Sequence, residues 1–131
     1  MLEVVFNALL LADRVFTEDN GKKGILGIFN KFNFPSLPAV APPWFVYAAF
    51  ENLVGQNEFT VNIARKESQE VVFSAGGQID IQDSTQGIEL AIPVPPVRFM
   101  RSGKYLLVLL LNGKDVASRI FEVTVAGETS K

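Results

Sequence analysis

Neither cysteine nor histidine occurs among the 131 residues, so no disulfide and no nitrogen- or sulfur-ligated metal can staple this chain. Whatever it folds into must be held by its own apolar core. The same absence removes Ser-His and Cys-His nucleophiles, reactive thiolates and the one side chain whose ordinary pKa lies near neutrality. At this length folding withdraws roughly two-thirds of the unfolded chain's surface from water, enough for one self-sufficient domain. Hydrophobic residues make up 48% of the chain, a rich share that points to apolar surface meeting a partner rather than solvent.

Helical periodicity is absent. Short β-branched and aromatic runs recur instead, separated by Gly, Pro, Asn and Asp, which is an all-β pattern. The runs predict strands over 3–11, 23–29, 44–53, 58–65, 70–73, 78–82, 87–94, 104–111 and 114–125. Phe59, Val61 and Ile63 alternate with Thr60 and Asn62, so that strand has one wet face, as do those around Ile79 and Ile81 and around Ile88, Leu90 and Ile92. Proline has no N–H for a ladder, so the stretches 34–43 and 93–96 are expected at sheet crossings or covered edges.

The sharpest local signal is Asn112-Gly113 between two apolar runs, the preferred two-residue type I′ hairpin turn. It pairs Leu111 with Lys114. Strict continuation would put Phe121, Val123 and Val125 on the face carrying Asp115 and Arg119, so a β-bulge between Ser118 and Glu122 is expected to restore the phase.

Val4 to Leu11 and Tyr105 to Leu111 are apolar on both faces, and in an antiparallel sheet one face normally meets water. Either loops such as 34–43 cover them or they form a subunit interface. Leu106, Val108 and Leu110 are therefore a candidate interaction surface. Trp44 and Tyr47 join it: Trp44 reads as a core tryptophan, with an exposed ring for a sugar or a partner as the other option. Alternation sets Phe45 and Tyr47 on the face opposite Trp44.

Other constellations read as ordinary structure. Asp80, Asp83 and Glu89, with Ser84 and Thr85, could offer oxygens to calcium, but their spacing follows no calcium-loop pattern and fits a solvated turn. Glu18 to Lys23 reads as a turn between the first two strands. Ser102 and Lys104 sit in Arg101-Ser-Gly-Lys-Tyr105, a turn entering a strand, and no glycine cluster precedes a helix as a phosphate cradle does. A carboxylate pair for glycoside hydrolysis cannot be picked from the fourteen acids. A net charge of −2 without a Lys/Arg cluster argues against nucleic acid. No apolar run approaches the roughly 20 residues that span a bilayer.

Leu11-Ala-Asp13, Gly24 to Phe29, Phe34-Pro-Ser-Leu-Pro38, the run from Trp44, Gly103-Lys-Tyr105 and the Asn112-Gly113 hairpin together resemble a family of small, mostly bacterial β-sandwich proteins of unknown function. The Gly-x-Tyr and hairpin ending is also similar to fibronectin type III-like and immunoglobulin-like modules. The resemblance implies a fold and carries no catalytic residue. The expectation is an all-β protein, a single antiparallel β-sandwich of about eight or nine strands, immunoglobulin-like or related, over residues 1–126, with a frayed tail at 127–131. It is expected to be a non-enzymatic binding or structural module that needs no cofactor and works in the cytoplasm as a homodimer or with a protein partner, without nucleic acid or membrane. A carbohydrate-binding module using exposed aromatics is the alternative, and a carboxylate-dependent hydrolase stands behind it.

Overall fold

The computed structural model describes residues 4–82 and 87–127. They form eleven strands: β1 (Val5–Thr17), β2 (Lys23–Phe29), β3 (Lys31–Phe34), β4 (Ala39–Ala41), β5 (Trp44–Glu51), β6 (Gly55–Arg65), β7 (Val71–Ile81), β8 (Ile88–Val94), β9 (Val97–Phe99), β10 (Gly103–Leu111) and β11 (Lys114–Val125). The all-β expectation holds. A four-stranded sheet runs β2-β1-β5-β8, a five-stranded sheet runs β3-β11-β10-β6-β7, and β4 pairs with β9 in a two-stranded ribbon.

One pairing departs from the antiparallel expectation. After β2 the chain turns at Asn30 and enters the second sheet as β3, parallel to β11, with Phe32 opposite Val123 and Phe34 opposite Val125. Parallel partners cannot be joined by a tight turn. Here they are joined by most of the chain.

Apolar side chains from both large sheets meet in one core that includes Leu9, Leu11, Val46, Phe50, Val61, Ile63, Leu107, Leu109 and Val123. Aromatic rings fill one end of it. Trp44 makes edge contacts with Phe29, Phe32 and Phe121 at centroid separations of 5.6, 5.8 and 6.2 Å, and Tyr105 stacks on its cross-strand partner Phe121 at 5.6 Å. The proline-rich 34–43 segment does not lie over an outer sheet face as expected. Its β4 pairs with β9, Ala41 is fully buried and Leu37 packs against the core, so the segment closes the core's end.

The Asn112-Gly113 turn has positive φ at both residues, 51° and 83°, and Leu111 faces Lys114 as the type I′ geometry requires. The bulge is present but displaced. Leu110 faces Asp115 and Leu109 faces Ala117, so Val116 is the extra residue, nearer the turn than the Ser118–Glu122 window. One inserted residue flips the alternation, which brings Phe121 and Val123 inward and leaves Ile120 44% exposed. Asn112 also ties the hairpin to β6: its side chain accepts from the Glu58 N–H at 2.9 Å and donates to Asn57 Oδ1 at 2.9 Å. Asn57, buried, donates in turn to the carbonyls of Val54 and Gly55.

Segments 70–73 and 78–82 are one strand rather than two. Gly76-Gly77 reads as a break, yet it lets β7 pass close to β6: a Cβ at Gly76 would sit 2.7 Å from the Phe59 carbonyl oxygen and one at Gly77 2.9 Å from the Phe59 ring. A further tie joins the sheets. β2 leaves β1 at the Leu11–Phe29 pair, and beyond that point the guanidinium of Arg119, on the core-facing side of β11, donates to the Leu9 carbonyl at 3.2 Å.

Candidate interaction face

The outward side of the four-stranded sheet is apolar where water would be expected. Register places Ala8, Leu10, Ala12, Arg14 and Phe16 of β1 on this side, because Leu9 and Leu11 point into the core. Ala12 pairs with Ile28 and Phe45, Arg14 with Leu26, Leu10 with Tyr47. The Phe16 ring lies over Gly24, where a Cβ would be 2.2 Å from the ring. Phe16, Leu26 and Ile28 remain 40%, 52% and 57% exposed. The rest of the field is small or flat: Ala12 and Ala49 are buried, while Phe45 and Ala91 are half-buried.

At the other end of this face the side chains become acidic. A bulge at Asn7 shifts the β1–β5 register between Phe6 and Ala8, and Asn7 donates to Glu51 at 3.3 Å. The Tyr47 hydroxyl donates to the Glu89 carboxylate on the neighbouring strand. Between these groups lies a cleft of about 380 Å³ whose lining includes Ala8, Tyr47, Ala49, Glu51 and Glu89. Alanines at two adjacent cross-strand positions create it, since the neighbouring side chains stand taller.

Burial first, then the hydrogen bond and negative charge of Glu89, push the Tyr47 phenol up to about 12. Burial also raises the Tyr105 phenol, whose hydroxyl donates to the Arg101 carbonyl at 2.6 Å. For Tyr47 the folded pKa lies above the unfolded value of 10.0, so its contribution to stability is fully present below that pH and is lost as pH rises through about 12. The chain has two tyrosines, and neither is expected to ionise at the ordinary pH while the protein is folded. Spectrophotometric titration of phenolate checks this: a step near pH 10 in folded protein, as ordinary tyrosine gives, would contradict the assignment.

The residues singled out from sequence fall into separate places. Trp44 is 1% exposed, so the expectation that it belongs to an interaction surface is corrected, and its core reading stands. Tyr47 is 8% exposed with its hydroxyl engaged, and it lies on the four-stranded sheet, away from Leu106, Val108 and Leu110. Neither ring offers a stacking platform to a sugar. Those three are half-buried on the outer side of the five-stranded sheet, where Val108 pairs with Ser118 and Asn62 and Leu110 with Asp115 and Thr60. Polar neighbours flank Val108 and Leu110, whereas Leu106 faces Ile120 and Ala64.

Asp80 and Glu89 are on different sheets, Asp83, Ser84 and Thr85 lie outside the described residues, and among the described residues no three acidic side chains gather as a metal group would need. The 18–23 segment forms the expected turn, with Gly21 N–H donating to the Glu18 carbonyl. Ser102 contributes its carbonyl to Arg65, at 2.9 and 3.1 Å. Among the described residues no helix is long and apolar enough to cross a membrane.

Sequence reading missed Phe16, Leu26, Ile28 and Arg14. The signal was there in Gly24 to Phe29, a strand with no polar residue on either face.

Residues 7–124 match the model of a family of unknown function, DUF6941. No curated protein matches the chain in sequence. In fold it is similar to the alkylpurine DNA glycosylase AlkC of Pseudomonas fluorescens, solved bound to DNA containing an abasic site analog, with a TM-score of 0.54. Identity is 12% over 93% of this chain, and the chain spans 30% of that protein's length. Identity so low shows likeness of fold alone.

Proposed function

The chain belongs to DUF6941, a family of unknown function, so no activity comes with membership, and we propose that it is a non-enzymatic module that docks protein through the outer face of its four-stranded sheet. The observation that carries this is the exposed group Phe16, Leu26 and Ile28 beside a flat floor of Ala12 and Phe45. An antiparallel sheet with one solvated face alternates apolar and polar residues, whereas β2 carries Leu26 and Ile28 outward and Ile25 and Phe29 on its other side. Contiguous exposed apolar surface of this kind marks contact sites. Burying one such side chain contributes roughly 1.5–3 kcal/mol, so a few are enough to drive association where shapes match.

The finer fold belongs to the same reading. Two large sheets about one core, with the Tyr105 hydroxyl bonded four residues back to Arg101, have the character of a β-sandwich with a tyrosine corner, as in immunoglobulin-like domains. A cytoplasmic module without cofactor, working by self-association, is the form of this proposal we favour. Sedimentation equilibrium tests it. Wild type is expected to rise in mass from monomer towards dimer across the micromolar range, and a Leu26→Ser/Ile28→Ser variant with unchanged far-ultraviolet circular dichroism is expected to remain monomeric. A wild type that stays monomeric throughout would count against self-association.

A further inference from the structure

We infer that the partner is a second copy of this chain, packed face to face so that Ile28 of each copy enters the alanine-floored cleft of the other and Arg14 of each meets the other's Glu51 and Glu89. This rests on the reading of the outer sheet face as the docking surface and adds its geometry. Two features of the face are complementary between its two ends.

The first is charge. Arg14 is exposed, and it has no hydrogen-bond or ion-pair partner among the described residues. Glu51 and Glu89 are exposed, and among the described residues their bonding partners are the neutral groups of Asn7 and Tyr47. Arg14 stands nine positions along β1 from Val5, the partner of Glu51, a separation of about 30 Å at the usual rise per residue. The basic corner and the acidic corner therefore lie at opposite ends of one apolar field.

The second is shape. Ile28 projects beside the basic end at 57% exposure, and the cleft over Ala8 and Ala49 opens at the acidic end. A two-fold axis crossing the middle of the face, near Leu10 and Tyr47, exchanges the two ends. It lays the isoleucine of one copy over the alanines of the other and brings Arg14 to the glutamates in the same operation. Because Glu89 is two strands from Arg14, the strands of the two copies then cross obliquely rather than strictly antiparallel. The contact is isologous and closes as a dimer.

Charge reversal tests the arrangement apart from the face. Arg14→Glu alone, and Glu51→Lys/Glu89→Lys alone, place like charges at both corners of their own dimers and are each expected to weaken self-association by about tenfold or more. Mixed in equal amounts, the two variants set the introduced carboxylate of one against the introduced ammonium groups of the other at one corner. The second corner keeps Arg14 with Glu51 and Glu89, so light scattering is expected to show the heterodimer restored. All three positions are exposed, and unchanged circular dichroism confirms that each variant folds. If Ile28→Glu abolishes the dimer but the charge variants dimerise like wild type, or their mixture stays monomeric, this arrangement is overturned while the docking face stands. If wild type never dimerises, this arrangement falls together with the self-association form of the proposed function.

Discussion

Replacing Trp44 by alanine is expected to cost about 3–5 kcal/mol of stability, a fall of roughly 10–20 °C in melting temperature for a domain of this size. The ring is 1% exposed and reaches three phenylalanines, two at the β2–β3 corner and one on β11, so its loss opens a cavity where the two sheets meet. Phenylalanine at the same position is expected to behave differently. The indole N–H is buried without a hydrogen-bond partner among the described residues, a desolvation cost of about 1–3 kcal/mol. Trp44→Phe removes that donor along with part of the ring, so the two effects oppose and the net change should stay within about 1.5 kcal/mol. Thermal and urea denaturation of both variants measure this directly. Equal losses for alanine and phenylalanine would mean that the indole makes a polar contact on which the core depends.

The fold was legible where turn chemistry brackets a strand. The boundaries of β2 and β11 follow from the Glu18–Lys23 turn and from Asn112-Gly113, each of which leaves the chain one way to reverse. Where a residue has two uses the reading failed. Gly76-Gly77 signals a turn in isolation, yet here it accommodates the Phe59 ring and backbone inside a strand. The bulge was deducible from the phase of Phe121 and Val123, but any insertion between the turn and Phe121 gives that phase, so its place at Val116 was not. β3, β4 and β9 have only three or four residues each, too few for alternation to register, and they are strands only because partners distant in sequence pair with them.

The candidate face was hidden for a related reason. Val4 to Leu11 and Tyr105 to Leu111 look alike in sequence, both apolar on both sides, and what separates them is their neighbours. β10 lies between β11 and β6, which set Ser118, Asp115, Asn62 and Thr60 beside Val108 and Leu110 on its outer face and Ile120 and Ala64 beside Leu106. β1 lies between β2 and β5, which supply Leu26, Ile28 and Phe45. Strand order decides which apolar stripe is diluted by polar residues and which is extended, and strand order is a property of long-range pairing.

Side-by-side light scattering of Ile28→Glu and Val108→Glu puts the central claim to the most direct test. Ile28 is 57% exposed on the outer side of an edge strand, so a carboxylate there leaves the monomer's core untouched while its burial in an interface, unpaired, would be strongly unfavourable. Val108 is half-buried among polar neighbours on the other sheet. With self-association of wild type as the reference, Ile28→Glu is predicted to be a folded monomer at every concentration and Val108→Glu to associate as wild type does. A Val108→Glu variant that is folded and monomeric, beside an Ile28→Glu variant that still associates, would place the contact on the five-stranded sheet and contradict the account.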